Sequence, residues 1–203
     1  MVEQSRWVAR TLEDPNHSAW YVERFRAKAD AGEDLAGEAR FLDAMLPRSA
    51  RVLDAGCGPG RVGGILFRLG HDVVGVDVDP VLIAAAEEDH PGPTWIVGDL
   101  AELDLIPHGA AEPYDGIIAA GNVMTFLAPS TRRVVLRRLG DHLKPDGRLV
   151  VGFGAERDYA FEDFFDDVSA VGLVVELKLA TWDLRPFDDR AEFLVTVLRA
   201  PTI

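Results

Sequence analysis

The chain has 203 residues, 48% of them apolar and 27% charged, which are the proportions of a globular protein and exclude a disordered one. Asp and Glu number 34 against 21 Lys and Arg, for a net charge of −13, so the averaged field repels phosphate backbones and anionic membranes, and neither nucleic acid nor membrane is an expected partner. The one cysteine excludes an intramolecular disulfide, and neither an apolar run of about 18 residues nor a basic-plus-apolar leader is read, which makes the cytoplasm the expected location.

In chain order, the first stretch reads as helical. Ser18 is a plausible N-cap for a helix through Trp20 and Phe25, and Ala31-Gly32 breaks it. Leu35, Ala39, Leu42 and Leu46 then form an apolar stripe at helical spacing that Pro47 closes. From about residue 50 strands and helices alternate. Strands are expected over 51–54, 72–77, 94–97, 114–120 and 148–153. The first is followed by a glycine loop and a helix ending near Gly70, and the second by a helix opened by Pro80. After the fourth comes a helix whose Arg132, Arg133, Arg137 and Arg138 read as a solvated face. A turn over 144–147 precedes the fifth strand. A helix over 161–170 leads to two β-like runs, 173–181 and 191–199, with no room for a crossover helix between them, so they should pair as an antiparallel hairpin at the sheet edge. One domain over 1–203 is expected, with a helical segment over 1–47 and an α/β core over 48–203. Strands buried on both faces and separated by helices imply a parallel sheet whose ligands sit at the carboxyl ends of the strands.

Those ends carry the chemistry. Gly58, Gly60 and Gly63 fit G-x-G-x-x-G, and Asp77 follows Gly58 at a distance that suits hydrogen bonds to a ribose diol. Both features suit NAD and any other adenosine cofactor. Asp54 discriminates, because a carboxylate beside the loop would repel a pyrophosphate and attract a cation, such as the sulfonium and ammonium of S-adenosylmethionine. Asp99-Leu100, ending the third strand, can then serve the adenine. Asp79 reads as the start of the following helix, and Cys57 as a small packed side chain. His17, His71, His90, His108 and His142 lack metal-helix spacing, and no metal is expected.

Val52-Leu53-Asp54-Ala55-Gly56-Cys57-Gly58-Pro59-Gly60 resembles the first motif of the class I S-adenosylmethionine-dependent methyltransferases. Gly75-Val76-Asp77-Val78-Asp79-Pro80 resembles their second, Gly98-Asp99-Leu100 their third, and Tyr114-Asp115-Gly116-Ile117-Ile118 with Gly121-Asn122 their fourth. The segment 143–149 resembles the turn before their fifth strand. The resemblance implies a doubly wound, Rossmann-like, mostly parallel sheet of seven strands in the order 3-2-1-4-5-7-6, the last antiparallel, with helices on both faces. It implies S-adenosylmethionine held by Asp54, Gly56, Gly58, Asp77, Asp99, Leu100 and Gly121. Cys57, Val78 and Asn122 adjoin these in the same loops and join the candidate cofactor site. So do Tyr21 and Arg26, with Arg24 beside them, on a segment that in related enzymes often folds over the cofactor.

Methyl transfer needs alignment and exclusion of water more than it needs a base. The catalytic candidates are Asn122, His17 and Tyr159, while His108 reads as an exposed turn. The fourth motif lacks the Asn/Asp-Pro-Pro-Tyr signature of amino-group methyltransferases on nucleic acids. A small-molecule acceptor is expected, in a site formed by the N-terminal segment, the loop after Gly121, the loop over 154–159 and the hairpin turn, with Trp20, Phe126, Trp182 and Phe187 as candidate walls. The alternatives are a non-catalytic module that binds S-adenosylmethionine and an NAD(P)-dependent oxidoreductase. The expected assembly is a monomer or a homodimer.

Overall fold

A computed structural model describes residues 2–155 and 157–201; of the expected acceptor loop over 154–159, residue 156 lies outside the described residues. Seven strands form one sheet: β1 (Arg51–Ala55), β2 (Asp72–Asp77), β3 (Thr94–Val97), β4 (Tyr114–Ala119), β5 (Leu143–Gly154), β6 (Val174–Leu179) and β7 (Phe193–Arg199). Their order is β3-β2-β1-β4-β5-β7-β6, the expected one. β1 to β5 pair in parallel, and β7 lies antiparallel to both β5 and β6.

The strands alternate sides with a period of two. Val52, Val73, Ile118 and Val150 pack with α3 (Gly37–Asp43) and α4 (Arg61–Arg68) on one face. Leu53, Val74, Ile117 and Leu149 pack with α7 (Arg132–Asp141) and α8 (Phe161–Ala170) on the other. Burying both faces suppresses the in–out polarity alternation of a half-exposed sheet, which is why the strands read as continuous apolar runs.

The N-terminal region departs from expectation in detail. α1 (Arg6–Glu13) has Ser5 as its N-cap, and α2 (His17–Asp30) starts before Ser18, with Asn16 at its cap position. The Ser18 hydroxyl instead donates to Asp79. α3 is a short helix, yet Ala39, Leu42 and Leu46 are all buried, because the turn after it keeps the stripe against the sheet. The expected turn over 144–147 is absorbed into β5, with a register shift opposite Tyr114 and Gly116.

The arginine-rich helix is only half a solvated face. Arg132 is buried, its guanidinium 3.9 Å from the centre of the Tyr159 ring, and Arg138 donates to the Leu103 carbonyl. Arg133 and Arg137 remain exposed. Among the described residues, no helix is long and apolar enough to cross a membrane.

Candidate active site

Three adjacent strands end in carboxylates that all line one cleft. Asp54 closes on the glycine loop, its Oδ2 accepting the Gly63 N–H at 2.8 Å. Asp77 accepts the Gly58 N–H through Oδ2 at 2.8 Å and the Asp79 N–H through Oδ1 at 3.0 Å. Asp99 caps the 3₁₀ turn Leu100–Glu102, accepting the Ala101 N–H at 2.8 Å. Backbone donors thus fix all three side chains on the loops that bear them.

Two of these groups hold their charge reluctantly. Burial pushes Asp54 up to about 7, against the Gly63 N–H and the Arg61 charge, which favour ionisation. Burial likewise pushes Asp77 up to about 6, opposed by the N–H groups of Asp79 and Gly58. Neither carboxylate is in an ion pair with a side chain among the described residues. A cation bound beside them would restore their ionised form.

Within the loop, the glycines divide by purpose. Gly58 and Gly121 line the cleft at φ +55° and +71°; a Cβ on Gly121 would meet nothing within 4 Å, and one on Gly58 only Tyr21 Cε1 at 3.8 Å. The space they leave belongs to the cleft. Gly60, Gly63 and Gly75 face the other way, where a Cβ would come within 2.9, 2.9 and 2.2 Å of the Trp95 ring. The G-x-G-x-x-G match at Gly58, Gly60 and Gly63 is therefore partly a mould of one indole.

The cleft is open to solvent, and its empty space of about 880 Å³ takes in the solvent at its mouth. Its roof is aromatic: Trp7 of α1, Tyr21 and Phe25 of α2, and Phe126 of α6 (Val123–Phe126) all line it. Trp7 meets Tyr21 and Phe126 edge-on, with ring centres 5.2 and 5.4 Å apart. Arg61, also in the wall, holds Glu38 through two bonds of 2.8 and 2.6 Å and lies over the Phe25 ring at 5.5 Å. Burial raises the Tyr21 phenol, although Arg61 opposes it. Burial also pushes the Cys57 thiol well above its ordinary value, and Asp54 and Asp77 add to that.

Gly56, Cys57, Gly58, Val78, Leu100, Gly121 and Tyr21 line the cleft together with the three carboxylates. Other expected residues do not. Asn122, at φ +69°, turns its amide to β5, where Oδ1 accepts the Gly154 N–H at 2.8 Å. Tyr159 is buried in the core, stacked on Phe153, and its hydroxyl donates to Asp167 at 2.8 Å. His17 is packed between Trp7 and Trp20, with ring centres 5.1 and 5.5 Å away.

Arg26 points away to α5 (Pro80–Asp89), bonded to Glu88 and Asp89 at 2.9 Å. Arg24 lies over the exposed Trp20. Of the four expected aromatic walls only Phe126 is in place; Trp182 packs on Phe41 and Phe187 on Phe161. Trp7, Phe25 and Arg61 went unread in the sequence. Amphipathic spacing in α1 is a signal that could have found the first.

A carboxylate pair with no side-chain ion partner among the described residues, Asp99 beside it, and the room that Gly58 and Gly121 leave in the cleft fit an adenosine cofactor with a cationic end. The chain belongs to the class I S-adenosylmethionine-dependent methyltransferases, whose cofactor is S-adenosylmethionine. Residues 52–147 match the family described as a methyltransferase domain. A TehB-like SAM-dependent methyltransferase from Corynebacterium glutamicum is 47% identical, with a TM-score of 0.87, over 93% of this chain and 100% of that one.

Curated relatives include the magnesium-protoporphyrin O-methyltransferase of Rhodobacter capsulatus, 36% identical over 90 residues, which are 42% of this chain and 38% of that protein. The ribosomal protein L11 methyltransferase of Janthinobacterium sp. (strain Marseille) is 30% identical over 118 residues, 55% of this chain and 34% of that protein. The chain thus spans little more than a third of the length of either. One is named for a porphyrin acceptor and the other for a protein acceptor.

Proposed function

We propose that this chain transfers the methyl group of S-adenosylmethionine to a small-molecule acceptor, in the cytoplasm. The observation that carries the reading is the convergence of Asp54, Asp77 and Asp99 on one cleft whose roof is aromatic. When bound, S-adenosylmethionine supplies a methyl group already activated by its sulfonium. Asp54 would take the ammonium end, Asp77 the ribose hydroxyls, and Asp99 with the Leu100 N–H the adenine. Gly58 and Gly121 leave the room for it. Trp7, Tyr21 and Phe126 would keep water from the reacting line.

The wall also narrows the acceptor. No histidine lines the cleft among the described residues, and both Tyr21 and Cys57 are held in their protonated forms by burial. They can donate a proton but not take one. The remaining titratable acceptors in the wall, Asp54, Asp77 and Asp99, are assigned to the cofactor in this reading, so the acceptor is expected to bring its own lone pair near neutral pH, as an aromatic amine, a thiolate or an acidic hydroxyl does. The net charge of −13 favours a small molecule over RNA as the acceptor.

The test is calorimetric binding of S-adenosylmethionine and its demethylated product, followed by product formation across a panel of small amines, thiols and phenols, with ribosomal protein and RNA alongside. Tight binding with turnover on a small nucleophile is expected. Turnover on protein or RNA alone would overturn the acceptor class, and absence of binding would overturn the whole reading.

A further inference from the structure

α1 lies over the cleft with Trp7 as its one buried residue. The Trp7 indole Nε1 donates at 2.8 Å to Asp79 Oδ2. The Ser18 hydroxyl, near the start of α2, donates to the same oxygen. Oδ1 of Asp79 is occupied by the Val81 N–H at 2.8 Å, which caps α5. The Asp79 N–H in turn donates to Asp77 Oδ1 at 3.0 Å, and Asp77 lines the floor of the cleft. A continuous run of hydrogen bonds therefore joins the cover to the floor: indole, Asp79, Asp77, then the Gly58 N–H.

The rest of the cover is attached differently. α2 is fastened to α5 by Arg26 with Glu88 and Asp89, away from the cleft. The tie between Arg6 of α1 and Asp158 is exposed, with side-chain exposures of 39% and 79%, and such surface pairs hold weakly. Asp79 is buried, at 6% exposure, so its bonds to Trp7 and Ser18 are shielded from water and the stronger restraint on α1.

We propose that Asp79 is a positioning residue that holds Trp7, and with it α1, shut over the cleft, coupling closure to the ligand state of Asp77. The inference rests on the reading of the cleft as an S-adenosylmethionine site. A ligand that engages Asp77 bears on the Asp77–Asp79 segment and hence on the catch. Release of the demethylated product requires the indole to leave Asp79.

The experiment measures dissociation of S-adenosylhomocysteine by stopped flow, together with KM and kcat, for Trp7→Phe, Ser18→Ala, Asp79→Asn and the Trp7→Phe/Asp79→Asn double variant. Trp7→Phe keeps an aromatic ring and loses the donor, so dissociation should quicken about tenfold and KM should rise, with association changed by less than about threefold. Ser18→Ala should act in the same direction more weakly. Because both donors act through one carboxylate, the double variant should differ from Asp79→Asn by less than about twofold.

Dissociation within about twofold of wild type for Trp7→Phe and Ser18→Ala, with only the melting temperature lowered, would reduce Asp79 to a structural cap and overturn the proposal. Multiplicative effects of Trp7→Phe and Asp79→Asn would overturn it equally. A wild-type chain that binds neither cofactor nor product overturns the reading of the cleft and the catch with it, a result distinct from tight binding with unaltered kinetics.

Discussion

The floor of the cleft and its cover are held by different kinds of bond. On the floor, Asp54, Asp77 and Asp99 each accept backbone N–H groups of the loops they border, so their positions follow from the path of the chain. In the cover, Trp7 and Ser18 reach Asp79, and Arg26 reaches α5, through side chains alone. A floor fixed by backbone donors is pre-organised whatever surrounds it. A cover fixed by side chains opens or closes at the cost of a few bonds, and one substitution can alter it.

The largest effect expected on this contrast comes from the floor. Asp77→Ala removes the acceptor of two backbone N–H groups and the candidate ribose contact. It should weaken S-adenosylmethionine binding between about 10-fold and 100-fold by calorimetry, with the cooperative thermal transition retained. Unchanged affinity would place the ribose elsewhere and dissolve the distinction between floor and cover.

Next in size is pH. Asp54 and Asp77, at about 7 and about 6, lie above the 3.8 of a free aspartate. Without ligand the folded chain binds more protons than the unfolded one between about pH 4 and pH 7, so these two groups contribute stability that is lost as pH rises through that window. A cationic ligand selects the ionised form. Its affinity should therefore rise roughly tenfold from about pH 5.5 to about pH 7.5, and Asp54→Asn should flatten the profile. A wild-type profile that is flat would mean that the cation does not sit beside Asp54.

Tyr159→Phe is expected to act on stability alone. It loses the bond to Asp167 and keeps the stack on Phe153 and the edge-on contact with Phe164. The loss should be about 1 kcal/mol by denaturant titration, with kcat within about twofold of wild type. A large fall in kcat would return Tyr159 to the chemistry. Smallest of all, Arg26→Ala should leave cofactor affinity within about twofold, since its exposed pairs with Glu88 and Asp89 face away from the cleft.

The same contrast governs what the sequence discloses. The strand order, the hairpin and the three strand-end carboxylates were legible because they combine fixed spacing, backbone turns and resemblance to known motifs. The cover was not, because the burial of Trp7 is decided by Asp79, Tyr21 and Phe126, which are remote in the chain. Ser18 read as a cap because a hydroxyl before a helix serves that purpose as readily as it serves a distant carboxylate. Asn122 and Tyr159 were right as to strand end and wrong as to direction, since the left-handed backbone at Asn122 and the core around Phe153 turn them away. Gly60 and Gly63 left NAD open until Asp54 decided against it, because a glycine that admits an indole looks the same as one that admits a phosphate.

Cys57, the only thiol in the chain, is buried in the wall of the cleft with its ionisation suppressed. An electrophile in solution therefore labels it slowly, and faster when loop and cover part. Its rate of covalent labelling is an internal clock for opening, and a cysteine introduced on the surface can carry a reporter without competition from it.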